Sequence, residues 1–396
     1  MKVCVINNLY PPFARGGAEQ VVERTVAGLA AAGHEAVVIA GTPEKPWVEF
    51  RDGVKIYWIH PSNIFFYTNA HKHLWLSRLL WHLIDIFNFG AAQKIKNIIR
   101  QEKPDVIHTH NLMGLSFLLP RVIRNLGIRH IHTVHDVQLV EPSGMILKQY
   151  ENSARYRGLS TKLYTALMRN LFGSPAVVIS PSQFLREFYV TRGFFKQSAV
   201  EIIRNPLTFV LAPASHTEIG KAIKFLYVGQ IESHKGVLEL VRAFRQLDQT
   251  VPAELHVVGG GAQLPAVENL AKQDIRITVH GRMDRAELPK IFSKMDLTVV
   301  PSLCYENSPT VIFESFASRV PVLASNIEGI AELIQEGENG LTFAAGDTEA
   351  LTKKLQWCRE HREQIRQMSS NTQNSLSDLS LTEHMSRLSR LYSSAS

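Results

Sequence analysis

Cysteine is scarce in this chain: Cys4, Cys304 and Cys358 are the three in 396 residues. An odd number at such wide spacing excludes a disulfide framework and a structural zinc site, and it fits reduced thiols in a cytoplasmic setting. Asp-x-Asp occurs nowhere, so a manganese-bridged diphosphate has no acidic pair to hold it. No basic leader and cleavage site precede Lys2 to Ile6, which already read as a buried strand, so no secretory signal is expected. Helix-turn-helix, zinc-finger and aromatic-basic RNA-binding patterns are missing too, and nucleic acid is not an expected partner. The first strand-to-helix turn lacks G-x-G-x-x-G and no acid closes the second strand, which excludes a dinucleotide fingerprint there.

What is present is the composition of a folded protein, 45% hydrophobic and 20% charged. Its length suits two domains rather than one core. The net charge of +7 is unevenly spread: residues 1 to 205 carry 24 Lys and Arg against 14 Asp and Glu, and the remainder 19 against 22. A first half at +10 and a second at −3 predicts that the first half faces something acidic, either an anionic membrane surface or a diphosphate-bearing acceptor.

Short apolar runs alternate with helical patterns in both halves. VCVINN, AVVIAG, DVIHTH, HIHTVHD, AVVISPS and VEIIRNP come first; IKFLYVG, AELHVVGGG, IRITVHG, LTVVPS and VPVLAS follow. Such alternation predicts parallel βαβ units and an α/β fold of two Rossmann-like, doubly wound domains. They are expected over 1–205 and 206–378, joined at 205–215, where Pro206 and Pro213 interrupt the pattern. Ligands of open parallel sheets lie beyond the carboxyl ends of the strands, which points to a cleft faced by both domains.

The most informative stretch is CYENSPTVIFESFASRVPVLAS, Cys304 to Ser325. A loop with Glu306, Asn307 and Ser308 enters a helix after Pro309, whose first backbone N–H groups, from about Thr310, form an anion seat. Glu314 lies further along that helix, so two carboxylates flank the seat and can grip a hydroxyl-rich ligand. Phosphate with hydroxyls describes a sugar nucleotide; the alternative is two solvated glutamates on a surface turn and helix. Arg15-Gly16-Gly17 opens another helix, where Gly16 and Gly17 allow close backbone approach to a phosphate or sugar, or simply make a turn. His135, with Asp136, ends a strand and can donate to a phosphate or a sugar hydroxyl. His108, His110, His132 and His135 crowd together, but no Cys or acid completes a metal ligand set. Lys235, in VGQIESHKG, is read at a helix N-terminus, where the macrodipole disfavours a cation unless an anion lies between them. The alternative is a solvated lysine.

Across nearly its whole length the chain resembles the retaining glycosyltransferases of family four, which have the GT-B fold. The resemblance is carried by GGAEQVV, VHD, VGQIESHKG and PSLCYENSPTVIFESFASRVPVLASNIEGIAELI, with Glu306 and Glu314 matching the Glu-seven-Glu motif. It implies transfer of a hexose from a nucleoside diphosphate sugar, UDP- or GDP-linked, to a glycan or lipid-linked acceptor, as in cell-surface polysaccharide or glycolipid synthesis. It also implies anomeric retention and no metal or other cofactor at the reaction centre. Glu314 is then expected on the ribose, Glu306 on the sugar hydroxyls and Lys235 on the diphosphate. His135 is expected near the donor sugar and β-phosphate, Gly16 and Gly17 in a loop over the donor, and the backbone of Asn307, Ser308, Pro309 and Thr310 around the phosphate. A helix over about 379–396 would return to the first domain. Where many members carry arginine this chain has Gln230, which removes one half of a two-cation clamp. A non-catalytic sugar-nucleotide-binding subunit, or another GT-B enzyme such as a sugar-nucleotide epimerase, is the competing reading; a pyridoxal-phosphate phosphorylase would need a much longer chain.

One run stands outside that resemblance. From Phe65 to Phe89 aromatic and leucine residues are interrupted by Lys72, Arg78 and Asp85, too charged a pattern for a spanning helix. It reads as core helices of the first domain or as an acceptor-side or membrane-surface element with aromatic anchors, peripheral at the inner face of the membrane.

Overall fold

The computed structural model describes residues 1–14, 16–207, 222–250, 252–377 and 379–393. Contacts divide the chain into two compact units: Met1–Gly144 with Arg157–Pro206 and Leu381–Ser396, and Met145–Tyr156 with Leu207–Ser380. Beyond Leu207 the expected connection at 205–215 lies outside the described residues.

The first unit is built on strands β1 (Lys2–Asn7), β2 (Glu35–Gly41), β3 (Trp47–Arg51), β4 (Val54–Ile59), β5 (Val106–Thr109), β6 (Arg129–Thr133), β7 (Val177–Ser180) and β8 (Ala199–Ile202). Their order in the sheet is β3-β4-β2-β1-β5-β6-β7-β8. Every pair is parallel except the edge pair β3–β4, which is antiparallel. The central strands are Val- and Ile-rich and buried on both faces, as helices on either side of a parallel sheet require. The β3–β4 hairpin turns at Asp52-Gly53, where both residues have positive φ, the pairing that suits the twist of a two-residue turn. The C-terminal helix, Leu381–Ser393, packs Met385, Leu388 and Tyr392 into this unit's core with Val22, Val26 and Leu29 of the helix Gly17–Ala31.

The second unit has β9 (Ile223–Val228), β10 (Ala253–Val258), β11 (Ile277–Gly281), β12 (Leu297–Val300), β13 (Val322–Ser325) and β14 (Gly340–Phe343), ordered β11-β10-β9-β12-β13-β14 and parallel throughout. The order reverses at β9 and β12, so their carboxyl ends form the switch point where ligands of such sheets bind. Phe225, Val237, Val241, Phe244, Leu255 and Leu297 fill its core.

Candidate active site

The loop after β9 and the loop after β12 converge at that switch point. Lys235 closes a short 3₁₀ turn, Ser233–Lys235, and Gly236 follows in the left-handed region at φ +70° before the helix Val237–Arg245 begins. Only glycine fits there: a Cβ at 236 would stand 1.9 Å from the Pro301 carbonyl oxygen. This contact brings the lysine turn against the entrance of the loop that carries Glu306. The Lys235 ammonium donates to Glu306 Oε1 at 2.5 Å, and Ser302 Oγ donates to the same oxygen at 2.9 Å. Burial opposes the lysine's charge, but the Glu306 carboxylate outweighs it and its pKa ends raised. A bound anion is therefore not needed to relieve the cation's position; Glu306 does so within the unit.

The Glu306 loop enters the helix Thr310–Ala317 with Pro309 at the N-cap and no side-chain cap. Asn307 and Ser308 are buried just before it. From the other side Gly329, in the turn Glu328–Ala331, donates its N–H to the Glu306 carbonyl at 3.0 Å. A Cβ there would lie 2.0 Å from the Asn307 carbonyl oxygen. Glu314, one turn into the helix and 3% exposed, accepts from Arg285 Nη2 at 2.5 Å. Neither glutamate is a solvated surface residue. Arg285, in a 3₁₀ turn after β11, is a cation that sequence reasoning did not single out. Its only signal was a lone arginine in a loop beyond a strand.

Gln230 is exposed, beyond the end of β9, and its carbonyl accepts the Tyr227 hydroxyl at 2.6 Å. The segment 145–156 pairs alongside: Leu147 bridges Cys304, Lys148 N–H donates to the Leu303 carbonyl, and the Tyr305 hydroxyl donates to Glu151. Burial pushes the Cys304 thiol up to about 12, so it stays protonated and is no nucleophile at neutral pH.

In the first unit, Gly16 is the N-cap of the helix Gly17–Ala31, and its N–H is taken by Glu19 Oε2 at 2.8 Å. The position where a phosphate could approach that amide is held by a carboxylate. His135, two residues past β6, is half-buried with its Nε2 at 2.9 Å from His110 Nδ1. His110 is buried, and its Nε2 has no hydrogen-bond partner among the described residues. An unpaired buried acceptor is better tolerated than an unpaired N–H, which assigns the proton to His110 Nδ1 and makes His135 Nε2 the acceptor. Burial, and then the nearby His384, lower the His135 pKa to about 4, so its ring is neutral at pH 7 and offers hydrogen bonds rather than charge. His108 is spent on Tyr392 and Thr133, at 2.7 Å each, while His130 and His132 both meet Thr109 Oγ1 at 2.8 Å. Among the described residues no group of His, Cys, Asp and Glu has the arrangement of a metal site.

Two α/β units, with two carboxylates and a lysine gathered beyond the strand ends of the second, match the arrangement expected of the GT-B glycosyltransferases. The sequence model "Glycosyltransferase Family 4" matches residues 15–208 and "Glycosyl transferases group 1" residues 212–375. The chain belongs to glycosyltransferase family 4. An uncharacterised 42.6 kDa protein of the cps region of Klebsiella pneumoniae is 27% identical, the match covering 84% of this chain and 87% of that protein. The fold is that of sucrose-phosphate synthase from Thermosynechococcus elongatus, with TM-score 0.75 and 21% identity over 99% of this chain and 98% of the other. HepE of Anabaena, solved with UDP, gives TM-score 0.71 and 17% identity over the whole of both chains.

Proposed function

We propose that this chain is a retaining, metal-independent hexosyltransferase that moves a sugar from a UDP- or GDP-hexose to a glycan or lipid-linked acceptor, in polysaccharide or glycolipid synthesis in the cytoplasm. The observation that carries the reading is the meeting of Lys235 with Glu306 at 2.5 Å where the loop enters the Thr310–Ala317 helix, which lacks a side-chain cap. A diphosphate between the lysine and the first amides of that helix would gain a fixed cation and a helix N-terminus together. HepE in complex with UDP-glucose supports a UDP-linked donor.

In this reading Glu314 binds the ribose, with Arg285 holding its carboxylate in place, and Glu306 binds hydroxyls of the transferred hexose. Asn307, Ser308, Pro309 and Thr310 shape the phosphate seat, and Gln230 donates to one phosphate oxygen. Gly16 and Gly17 keep the first-unit loop slim enough to approach the donor. His135 hydrogen-bonds the sugar or the β-phosphate as a neutral ring, so Lys235 and the helix amides carry the electrostatic work. As the anomeric C–O bond to the diphosphate breaks, charge grows on the leaving oxygen, and these donors stabilise it more in the transition state than in the ground state. The acceptor oxygen forms the new bond on the same face and its proton leaves with the diphosphate. Thermal shifts with UDP-, GDP- and ADP-sugars test the donor: the true one, at a hundredfold excess over its dissociation constant, should stabilise the fold by about 2.7 kcal/mol. No shift with any of them would contradict the reading.

A further inference from the structure

The helix Trp75–Ile86 is turned against the usual order of a surface helix. Trp75, Leu76, Leu79, Leu80 and Leu83 are between 52 and 71% exposed, while Asp85 faces inward and is 1% exposed. At 100° per residue those five span one continuous outward face.

The reversal is anchored from the polar side. Asp85 Oδ1 accepts the Gly114 N–H at 2.9 Å, the Trp81 indole donates to the Phe65 carbonyl at 2.7 Å, and the Phe65 ring stacks with both His73 and Trp81. Burial pushes Asp85 up to about 7, a cost borne to hold the helix in this rotation. The helix therefore cannot turn its leucines inward without dismantling these contacts.

Charge gives the occupant. From His60 to Gln101 the chain has five Lys and Arg, and Asp85, buried, is the single acid. Lys72, Arg78, Lys94 and Arg100 are exposed. A stretch whose outward charges are all positive, with leucine and tryptophan on its exposed helix, complements an anionic bilayer surface. At 12 residues the helix is about 18 Å long, shorter than a bilayer's hydrocarbon core, so it lies in the interface and does not cross it.

We propose that the outward face of the Trp75–Ile86 helix docks the protein on an anionic lipid surface, its leucines in the acyl boundary and the flanking cations at the headgroups.

The test is co-sedimentation of the full chain with phosphatidylcholine vesicles with and without phosphatidylglycerol, in the absence of donor or acceptor. Binding is expected only to the anionic vesicles, falling as salt rises. The triple substitution Leu79→Ser/Leu80→Ser/Leu83→Ser should lower it by about tenfold or more, with the nucleotide-dependent thermal shift unchanged. Arg78→Glu should weaken binding at low salt and leave the residual binding less salt-sensitive. In wild type, tryptophan emission should shift to the blue on binding, and Trp75→Phe should remove most of that shift. The proposal is overturned if wild type ignores anionic vesicles at low salt, or if the triple variant binds as well as wild type. It is equally overturned if wild type is a dimer in solution that the triple variant abolishes, since a second copy then covers the face. Because donor binding is read separately, loss of vesicle binding and failure of the glycosyltransferase reading are distinguishable.

Discussion

Lys235 and Glu306 are 71 positions apart in sequence and 2.5 Å apart in the second unit. With 27 and 14% of their side chains exposed, the two charges neutralise one another where solvent still reaches them. In the proposed reading a diphosphate would compete with Glu306 for the ammonium, and a sugar hydroxyl donating to Glu306 would ease the exchange. Without a ligand, each member of the pair is stabilised by the other.

Lys235→Ala should lower turnover at saturating donor by about tenfold or more, equivalent to roughly 1.4 kcal/mol of transition-state stabilisation. Gln230→Ala should cost less, since a neutral amide on an exposed loop contributes one hydrogen bond and no charge. Steady-state kinetics that rank the two the other way would make Gln230 the principal diphosphate ligand.

Glu314→Ala should weaken binding of free nucleoside diphosphate by about 1.5 to 3 kcal/mol, the range for a lost charge-assisted hydrogen bond. Arg285→Ala should weaken it less while destabilising the second unit, because it leaves the buried Glu314 carboxylate without its cation. Calorimetry with unchanged affinity in Glu314→Ala would remove that residue from the nucleotide site.

Gly329→Ala drives a methyl into the Asn307 carbonyl oxygen and must shift the Glu306 loop. Donor affinity should fall by about tenfold, or 1.4 kcal/mol. Gly90→Ala, whose Cβ meets nothing closer than 3.7 Å inside the helix Phe89–Glu102, should be neutral or stabilising by up to about 1 kcal/mol. Equal donor affinity in wild type and Gly329→Ala would show that the loop's position is not critical.

Acid should weaken the first unit steeply. Burial foremost lowers His108 and His130 to about 3, His384 to about 4, and His110 and His132 well below their ordinary value. Each folded-state pKa is depressed, so its stability is fully present above about 6.5 and is lost as pH falls toward the folded value. Asp85 and Asp136, raised by burial to about 7 and about 6, run the other way, contributing below about 3.9 and losing that as pH rises. Six depressed histidines, His135 among them, against two raised aspartates leave a net uptake of protons on unfolding near pH 5, so stability falls as pH drops from 7 to 5. Trp47, Trp58, Trp75 and Trp81 all belong to this unit, so tryptophan fluorescence in urea at pH 7 and pH 5 reads it. A midpoint that does not fall between them would contradict the assignment of these rings as neutral.

Eleven of the fourteen strands among the described residues were legible, most of them because parallel strands buried on both faces read as short apolar runs, as in β5 and β12. The β3–β4 hairpin was missed although Asp52-Gly53 signals it: β3 alternates in burial at the sheet edge and lacks the apolar run of a parallel strand, and β4, although largely buried, was not read without its partner. β14, Gly340-Leu341-Thr342-Phe343, lacks the adjacent aliphatic residues that mark the equally short β5 and β12. Lys235 and Glu306 stood out in the sequence because each lies between a strand end and a helix start, and Glu314 because it follows Glu306 on the helix behind that loop. Arg285, Gly329 and the segment 145–156 were not, since their importance lies in which loops touch, and close packing of backbone on backbone leaves no composition signal. The Phe65–Phe89 run was read as core or as surface; its rotation, fixed by Asp85 and Trp81, is a tertiary fact.

Acceptor-dependent release of nucleoside diphosphate tests the central claim most directly. Purified protein is incubated with each UDP- and GDP-hexose and a panel of glycan and lipid-linked acceptors, and the product's anomeric configuration is read by NMR. Acceptor-stimulated release with the donor's configuration kept, and sharply reduced in Lys235→Ala and Glu306→Gln, is the predicted result. Tight donor binding without release for any acceptor, or release unchanged in both variants, would contradict it.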